Sequence, residues 1–325
     1  MKATAIAPSN IAFIKYWGKK DEVLRLPVNG SISMNLSNLL TTTTVEFDPK
    51  LKKDLVIING KKEKEEGSRV IKHLDRIRKM AKIKTKSKVV SESNFPSSTG
   101  LSSSASGFAA LSLAGSKAAG LNLSEKELSI LAREGSGSAS RSIPDGFVEW
   151  LDGETSDASY SVSISPPDHW DIADVVVVLS DKKKDVSTTK GQTTADSSPF
   201  FQTRIQNIDK KIKLCKKYIQ EKNFTRFGEL LEAEALELHA IMLTSSPSLI
   251  YLLPESIEVI KAVRKWRSEG LEVYFTLNTG QNVHLICQKK DAVRVSDLAQ
   301  RLGIVKKTII NYPARGACVS EKHLF

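Results

Sequence analysis

The chain has 325 residues, 40% of them hydrophobic and 26% charged, with a net charge of +11. That length suggests about two domains, and that balance excludes a disordered or fibrous chain. The lysines are scattered in short runs at Lys61-Lys62, Lys182-Lys183-Lys184 and Lys306-Lys307, with no arginine stripe or aromatic RNA-binding motif, so the charge reads as solvated surface and as affinity for small phosphorylated molecules rather than as a nucleic-acid face.

In chain order, residues 3–50 read as strands, because L-P-V-N-G separates I-A-F-I-K-Y-W from S-I-S-M-N-L and T-T-T-T-V-E-F. In I-K-Y-W, strand alternation puts Lys15 and Trp17 on one face and Tyr16 on the other, so Trp17 and, as an alternative to a ligand contact, Lys15 are packing residues. Over 68–82 the stripe Val70, Ile71, Leu74, Ile77 predicts an amphipathic helix flanked by His73 as a packing histidine. The segment F-P-S-S-T-G-L-S-S-S-A-S-G-F-A-A-L changes from a hydroxyl-rich loop into an Ala-rich helix ending near Gly120. Ser124 and Glu127 then form the S-x-x-E signature of a capping box. A glycine-serine loop at 135–142 precedes β-rich segments and a buried strand at 172–180.

Residues 203–222, 225–243 and 255–269 read as helices, followed by two strands around Gly280 and a helix near 292–302. A boundary is expected near residue 188, giving an N-terminal unit 1–188 and a C-terminal unit 189–325 joined by a loop at 181–200. This mixture argues an α+β fold rather than a doubly wound sheet. Cys215, Cys287 and Cys318 lie far apart, so neither a zinc site nor a disulfide framework is indicated. No apolar run approaches the ~20 residues that cross a bilayer, and M-K-A-T-A-I-A-P lacks a signal-peptide pattern; the expectation is a cytoplasmic protein with no membrane partner.

The loop 96–107 has the composition of an anion site: small residues let a polyphosphate approach, and the helix start offers outward N–H groups and a favourable dipole. Ser104 is placed to offer a hydroxyl to a γ-phosphate or Mg²⁺. Composition alone fits a serine-rich helix cap equally well. The G-x-x-x-x-G-K-S/T signature is absent, and G-S-G-S-A-S at 135–140 lacks the last glycine of a dinucleotide fingerprint.

P-S-S-T-G-L-S-S-S-A resembles the nucleotide motif P-x-x-x-G-L-x-S-S-A of the GHMP small-molecule kinases. S-N-I-A-F-I-K-Y-W-G-K-K-D at 9–21, L-P-V-N-G-S-I-S at 26–33, G-S-G-S-A-S-R-S at 135–142 and K-K-D-V-S-T-T-K-G at 183–191 are similar, in order, to the mevalonate diphosphate decarboxylase branch. The resemblance implies a two-domain GHMP-type fold with the site in the cleft between domains. It implies ATP and Mg²⁺ as cofactors, a phosphorylated mevalonate as substrate, a homodimer, and decarboxylation after phosphorylation of the 3-hydroxyl. Carried over by position, Ser97, Gly100, Ser102, Ser103, Ser104 and Ser106 would hold ATP, with Ser104 also on the metal. Tyr16, Lys19, Ser136, Gly137, Ser138 and Thr188 would hold substrate, and Arg141 would clamp its carboxylate.

The family reads F-D-A-G-P-N where this chain has L-N-T-G-Q-N at 277–282, so Asn278 stands where the family has its catalytic aspartate. An amide accepts a hydrogen bond but has no useful basicity at neutral pH. Asn278 as an orienting acceptor, an engineered loss of the acid, Asp145 as a substitute acid, a kinase that stops at the 3-phospho product, and a nucleotide-binding protein without turnover all stay open. For Asp145, turn chemistry in P-D-G favours a structural role. His239 and His284 are read as core histidines. The sequence also leaves open a monophosphate or diphosphate at the substrate's 5-end, and whether Arg315 is an anion contact or a surface residue.

Overall fold

The computed structural model describes residues 1–63, 68–96, 100–182 and 184–325. Two sheets organise the chain. The first has eight strands among the described residues and is built on Lys2–Ile14 paired antiparallel with the 17-residue strand Ser31–Phe47. The segments S-I-S-M-N-L and T-T-T-T-V-E-F thus form one strand, with a register shift between Pro8 and Asn10 taking up the bend. The Ala-rich helix Ser103–Ala118 packs on this sheet because Ala105, Ala109, Ala110, Ala114 and Ala118 let the backbones come close.

The second sheet has four strands in the order Val273–Thr276, Val283–Gln288, Ile172–Val178, Lys307–Asn311. Its inner strand Ile172–Val178 is buried at every position, which is why I-A-D-V-V-V-V carries a run of β-branched residues instead of alternating with polar ones. The sheets do not divide at residue 188. Ile172–Val178 precedes that point yet lies in the second sheet, while Cys318–Ser320 returns to pair with Lys2–Ile14 in the first. Nor is 181–200 an open loop: Thr188–Gly191 is a short helix capped by Ser187, and Gln192–Ser197 is a 3₁₀ turn.

The helices Arg69–Ala81, Phe201–Glu221, Phe224–Thr244, Pro254–Ser268 and Ala292–Gln300 fall where periodicity puts them, and the Ser124–Glu127 capping box opens Glu125–Gly135. One apolar cluster fastens the two sheets together. It takes Ile11, Phe13 and Ile32 from the first, Val176 and Ile286 from the second, and Phe224 and Phe227 from the helix between them. Phe13 and Phe227 meet edge to face, ring centroids 4.8 Å apart. This seam fixes the spacing of the cleft beside it. Among the described residues no helix is long and apolar enough to cross a membrane.

Candidate active site

The cleft holds about 1030 Å³ of empty space, part of it open to solvent. Several chain segments converge on it, four of them carrying most of the residues singled out by the motifs. The end of the first strand brings Ala12, Lys15 and Tyr16, and the start of helix Ser103–Ala118 brings Gly100 and Ser102 to Ser104. The 3₁₀ turn Gly137–Ser142 brings Ser136, Gly137, Ser138 and Arg141, and the loop after Val273–Thr276 brings Asn278 and Thr279. That turn was expected to be a glycine-serine loop. It is instead buried, because Tyr16 and Trp150 press on Gly137, where an added Cβ would lie 2.8 Å and 2.9 Å from their rings.

Gly100 brings the nucleotide-type loop and the loop of Asn278 together. Its φ is +93°, and an added Cβ would fall 2.6 Å from the Cα of Gly280. Ser102, also left-handed at φ 55°, precedes the helix without capping it through its own side chain; its Oγ accepts from Asn278 Nδ2 at 3.1 Å. The helix N-terminus therefore points its dipole at the cleft, with Ser103 and Ser104 as lining. Ser136 Oγ donates to Ser104 Oγ at 3.2 Å, so the two serine segments are in register.

Charge decides what the cleft can hold. Lys15, Arg25, Arg69, Arg141 and Lys184 line it, and no aspartate or glutamate does among the described residues. Burial lowers the pKa of Arg141 and of Arg69 to about 10, the latter also repelled by Arg25. Burial also brings Lys184 down to about 8. Arg141 is 3% exposed. Its NH1 donates to Ser31 Oγ at 2.6 Å and its NH2 to Asn10 Oδ1 at 3.3 Å, while Nε has no partner among the described residues. Cations crowded together without carboxylates are stable only if water or an anionic ligand compensates them.

Lys15 is held on several sides. Its backbone N–H donates to Glu234 Oε1 at 3.0 Å and its carbonyl accepts from Arg204 NH2 at 2.9 Å. Arg204 and Glu234 form an ion pair whose side chains are fully buried. Lys15 Nζ donates to Ala12 O at 2.6 Å and Thr276 Oγ1 at 2.8 Å, and reaches Asn278 Oδ1 at 3.4 Å. Lys15 therefore faces the cleft with Tyr16, whereas Trp17 is packed in an apolar cluster as expected.

Several expected residues lie elsewhere. Lys19 pairs with Glu22 and does not line the cleft, because the Lys19–Asp21 strand turns away to pair with Leu26–Pro27. Ser106 faces the sheet, where its hydroxyl meets Thr41 Oγ1 at 2.7 Å. Asp145 is exposed and caps Gly316 N at 2.7 Å, so it is a turn residue and not a substitute acid in the cleft. Arg315 is not among the lining residues. Ser97 lies outside the described residues. His239 is buried against the Asn278 backbone and His284 is paired with Asp174, both as core residues.

Sequence reasoning missed Arg25, Arg69, Lys184 and Gln192, which line the cleft. Lys184 was submerged in a lysine run read as surface; its bonds to Thr188 Oγ1 and Thr279 O, each 2.6 Å, pull it inward. Arg25 stands between two leucines before L-P-V-N, an interrupted apolar pattern that could have drawn attention to it.

Residues 7–162 match the diphosphomevalonate decarboxylase-like N-terminal domain model, and residues 174–319 match the mevalonate 5-diphosphate decarboxylase C-terminal domain model. The chain belongs to the diphosphomevalonate decarboxylase family. Membership makes it an enzyme of the carboxy-lyase class, with the mixed α+β two-domain fold of that family. Diphosphomevalonate decarboxylase of Candida albicans is 38% identical over 314 residues, covering 91% of this chain and 87% of that protein. Among solved structures, mevalonate diphosphate decarboxylase from Staphylococcus aureus superposes with a TM-score of 0.93 at 38% identity, covering 98% of each chain. The structure of MDDEF in complex with MVAPP, AMPPCP and magnesium superposes with a TM-score of 0.93 at 35% identity, covering 99% of each chain.

Proposed function

We propose that the protein decarboxylates mevalonate 5-diphosphate at the expense of ATP, phosphorylating the 3-hydroxyl first. The observation that carries this reading is the cleft's lining: cationic side chains and serine hydroxyls around one helix N-terminus, with no carboxylate among the described lining residues. The relatives' own ligands agree with it, since a similar structure was solved with MVAPP, AMPPCP and magnesium.

The nucleotide's phosphates take the helix start at Gly100 and Ser102 to Ser104, where N–H groups and dipole favour negative charge. The donor set suits a metal that arrives with those phosphates: among the described residues no cluster of three His, Cys, Asp or Glu could hold a free ion, and a serine hydroxyl is a hard oxygen donor. Mg²⁺ would be held by Ser104 Oγ and the phosphates, neutralising charge on the transferred group. Arg25 and Arg69, like charges held close, suit the substrate's 5-diphosphate better than a monophosphate, with Tyr16 and Ser136 to Ser138 completing that end.

Arg141 binds the C1 carboxylate with a planar fork that fixes the carbon–carbon bond to be broken. Thr188 and Lys184, bonded to each other, also line the cleft. Asn278, whose Nδ2 donates to Ser102 Oγ, lies beside the 3-hydroxyl and aims its oxygen at phosphorus. A loose phosphoryl-transfer transition state draws mainly on such positioning. Phosphate at C3 then leaves far more readily than hydroxide, and loss of carbon dioxide quenches the positive charge that develops.

The test supplies ATP, Mg²⁺ and either mevalonate 5-diphosphate or 5-phosphate and follows ADP and carbon dioxide together. Equal release of both from the diphosphate is expected. ADP alone would mean a kinase that stops at the 3-phospho product, and release only from the monophosphate would overturn the assignment of the 5-end.

A further inference from the structure

We propose that the Lys15 amine takes the proton of the 3-hydroxyl, the step for which position 278 offers only an amide. The proposal rests on the decarboxylase reading above. Lys15 Nζ lines the same cleft as Ser104 and Arg141 and stands 3.4 Å from Asn278 Oδ1. Lys184, the other lining lysine, is taken up by Thr188 Oγ1 and by Thr279 O and Oγ1; three further titratable groups nearby are badly placed. Asp145 is outside the cleft, and burial pushes Tyr16 up so that its phenol keeps its proton. His239 is buried behind the Asn278 backbone and does not line the cleft.

The hydrogen bonds of Lys15 suit an amine that works. As an ammonium it donates to Ala12 O and Thr276 Oγ1 through short bonds and to Asn278 Oδ1 through the longest, so the proton on the Asn278 side is the one given up and its direction then opens to the cleft. A hydroxyl entering there meets a lone pair when the amine is neutral. The groups facing Lys15 leave that state accessible. Glu234 and Asp174 favour the ammonium, Arg141 and Arg204 oppose it, and His239 beside it is held neutral. Burial is the largest influence and brings Lys15 to about 7.

Replacing Asn278 by an acid would reverse this balance. A carboxylate 3–4 Å away would hold Lys15 as an ammonium and accept the proton itself. The amide at 278 thus removes one base and leaves its neighbour free to become another.

The substrate's 3-oxygen forms its bond to the γ-phosphorus of ATP as the bond to the bridging oxygen breaks, and that electron pair leaves with ADP. The hydroxyl proton passes to Lys15 Nζ, which becomes an ammonium and returns the proton to water after the products leave.

The experiment pairs the pH dependence of single-turnover ADP release with ¹³C NMR titration of Lys15 Cε in the full-length protein. In the unaltered protein both midpoints are expected near 7, with the rate rising as pH rises. In Asn278→Asp the Lys15 resonance should titrate above about 9 and the rate midpoint fall by roughly 2 pH units, as a carboxylate takes over. Lys15→Ala should lose ~10²–10⁴-fold in ADP release. Added ethylamine should restore part of that loss in proportion to its free-base fraction, which a purely structural lysine would not show.

A Lys15 resonance titrating above 9 in the unaltered protein, or turnover flat from pH 5.5 to 8.5, would overturn the proposal while leaving the decarboxylase reading intact. Absence of both ADP and carbon dioxide at every pH would take the decarboxylase reading down, and this proposal with it. Should Lys15→Ala fail to fold, the Asn278→Asp pair of titrations still decides.

Discussion

Arg141→Gln should separate function from stability. The guanidinium is buried, meets no carboxylate among the described residues, and leaves Nε unpaired. If it clamps the substrate carboxylate, two charge-assisted hydrogen bonds worth ~1.5–3 kcal/mol each are lost, or about 3–6 kcal/mol together. That corresponds to a fall in kcat/KM of roughly 10²–10⁴-fold. Arg141→Lys keeps the charge but not the fork and should lose about 10–10²-fold. Deleting an uncompensated buried cation removes a desolvation cost, so the Gln variant should be at least as resistant to urea as the parent. Steady-state kinetics on mevalonate diphosphate, ATP binding by calorimetry and urea denaturation measure the three quantities. A Gln variant within threefold of the parent in kcat/KM would refute the clamp. One that lost activity only in proportion to lost folded protein would show a structural arginine.

Asp145→Ala should leave turnover within twofold and cost about 1 kcal/mol, the hydrogen bond to Gly316 N; an activity loss beyond tenfold would restore it as a catalytic acid. Glu234→Ala leaves buried Arg204 with Glu237 and the Lys15 carbonyl and should cost up to ~3–5 kcal/mol in urea denaturation, and a cost under 1 kcal/mol would mean that the buried pair contributes little. For His73, burial holds the folded pKa near 3 against 6.5, so the unfolded chain alone takes up a proton between those values. Its contribution is complete above 6.5 and falls by ~1.4 kcal/mol per pH unit below it; His73→Gln should flatten the stability profile by that slope between pH 6 and 4.

The helices were legible because each carries a stripe or a cap of its own: Leu74 and Ile77 mark one, Ser124 and Glu127 another. The sheets were less so. Nothing local in I-A-D-V-V-V-V says which sheet it joins, and nothing in A-C-V-S says that the chain's end returns to its first strand; both are long-range pairings. Within the site, the serine loop and Arg141 were found through motif likeness, although a buried arginine among serines would otherwise pass for surface. Lys184 and Arg69 were invisible because their burial depends on loops distant in sequence. Lys19 and Ser106 were misplaced for the converse reason: the motif places the backbone, while a three-residue strand turns Lys19 aside and helical phase turns Ser106 toward Thr41.

Lys15 and Asn278 belong to different sheets, so the contact between them depends on how the sheets are fastened. Lys15 follows the strand Lys2–Ile14, and Asn278 follows Val273–Thr276. The seam around Phe13 and Phe227 holds those strands together, while Glu234, from the same helix as Phe227, holds the Lys15 backbone. Truncating Phe227 would cost ~3–5 kcal/mol as a cavity and, if the sheets relax by even 1 Å, would lengthen a Lys15–Asn278 contact already at 3.4 Å. Proton transfer is more sensitive to that distance than anion binding is, because the cleft's cations act through charge over a longer range. Phe227→Ala should therefore lower the rate of ADP release more than it weakens ATP binding. Equal losses in both would mean that the seam supports the fold alone and does not tune the chemistry.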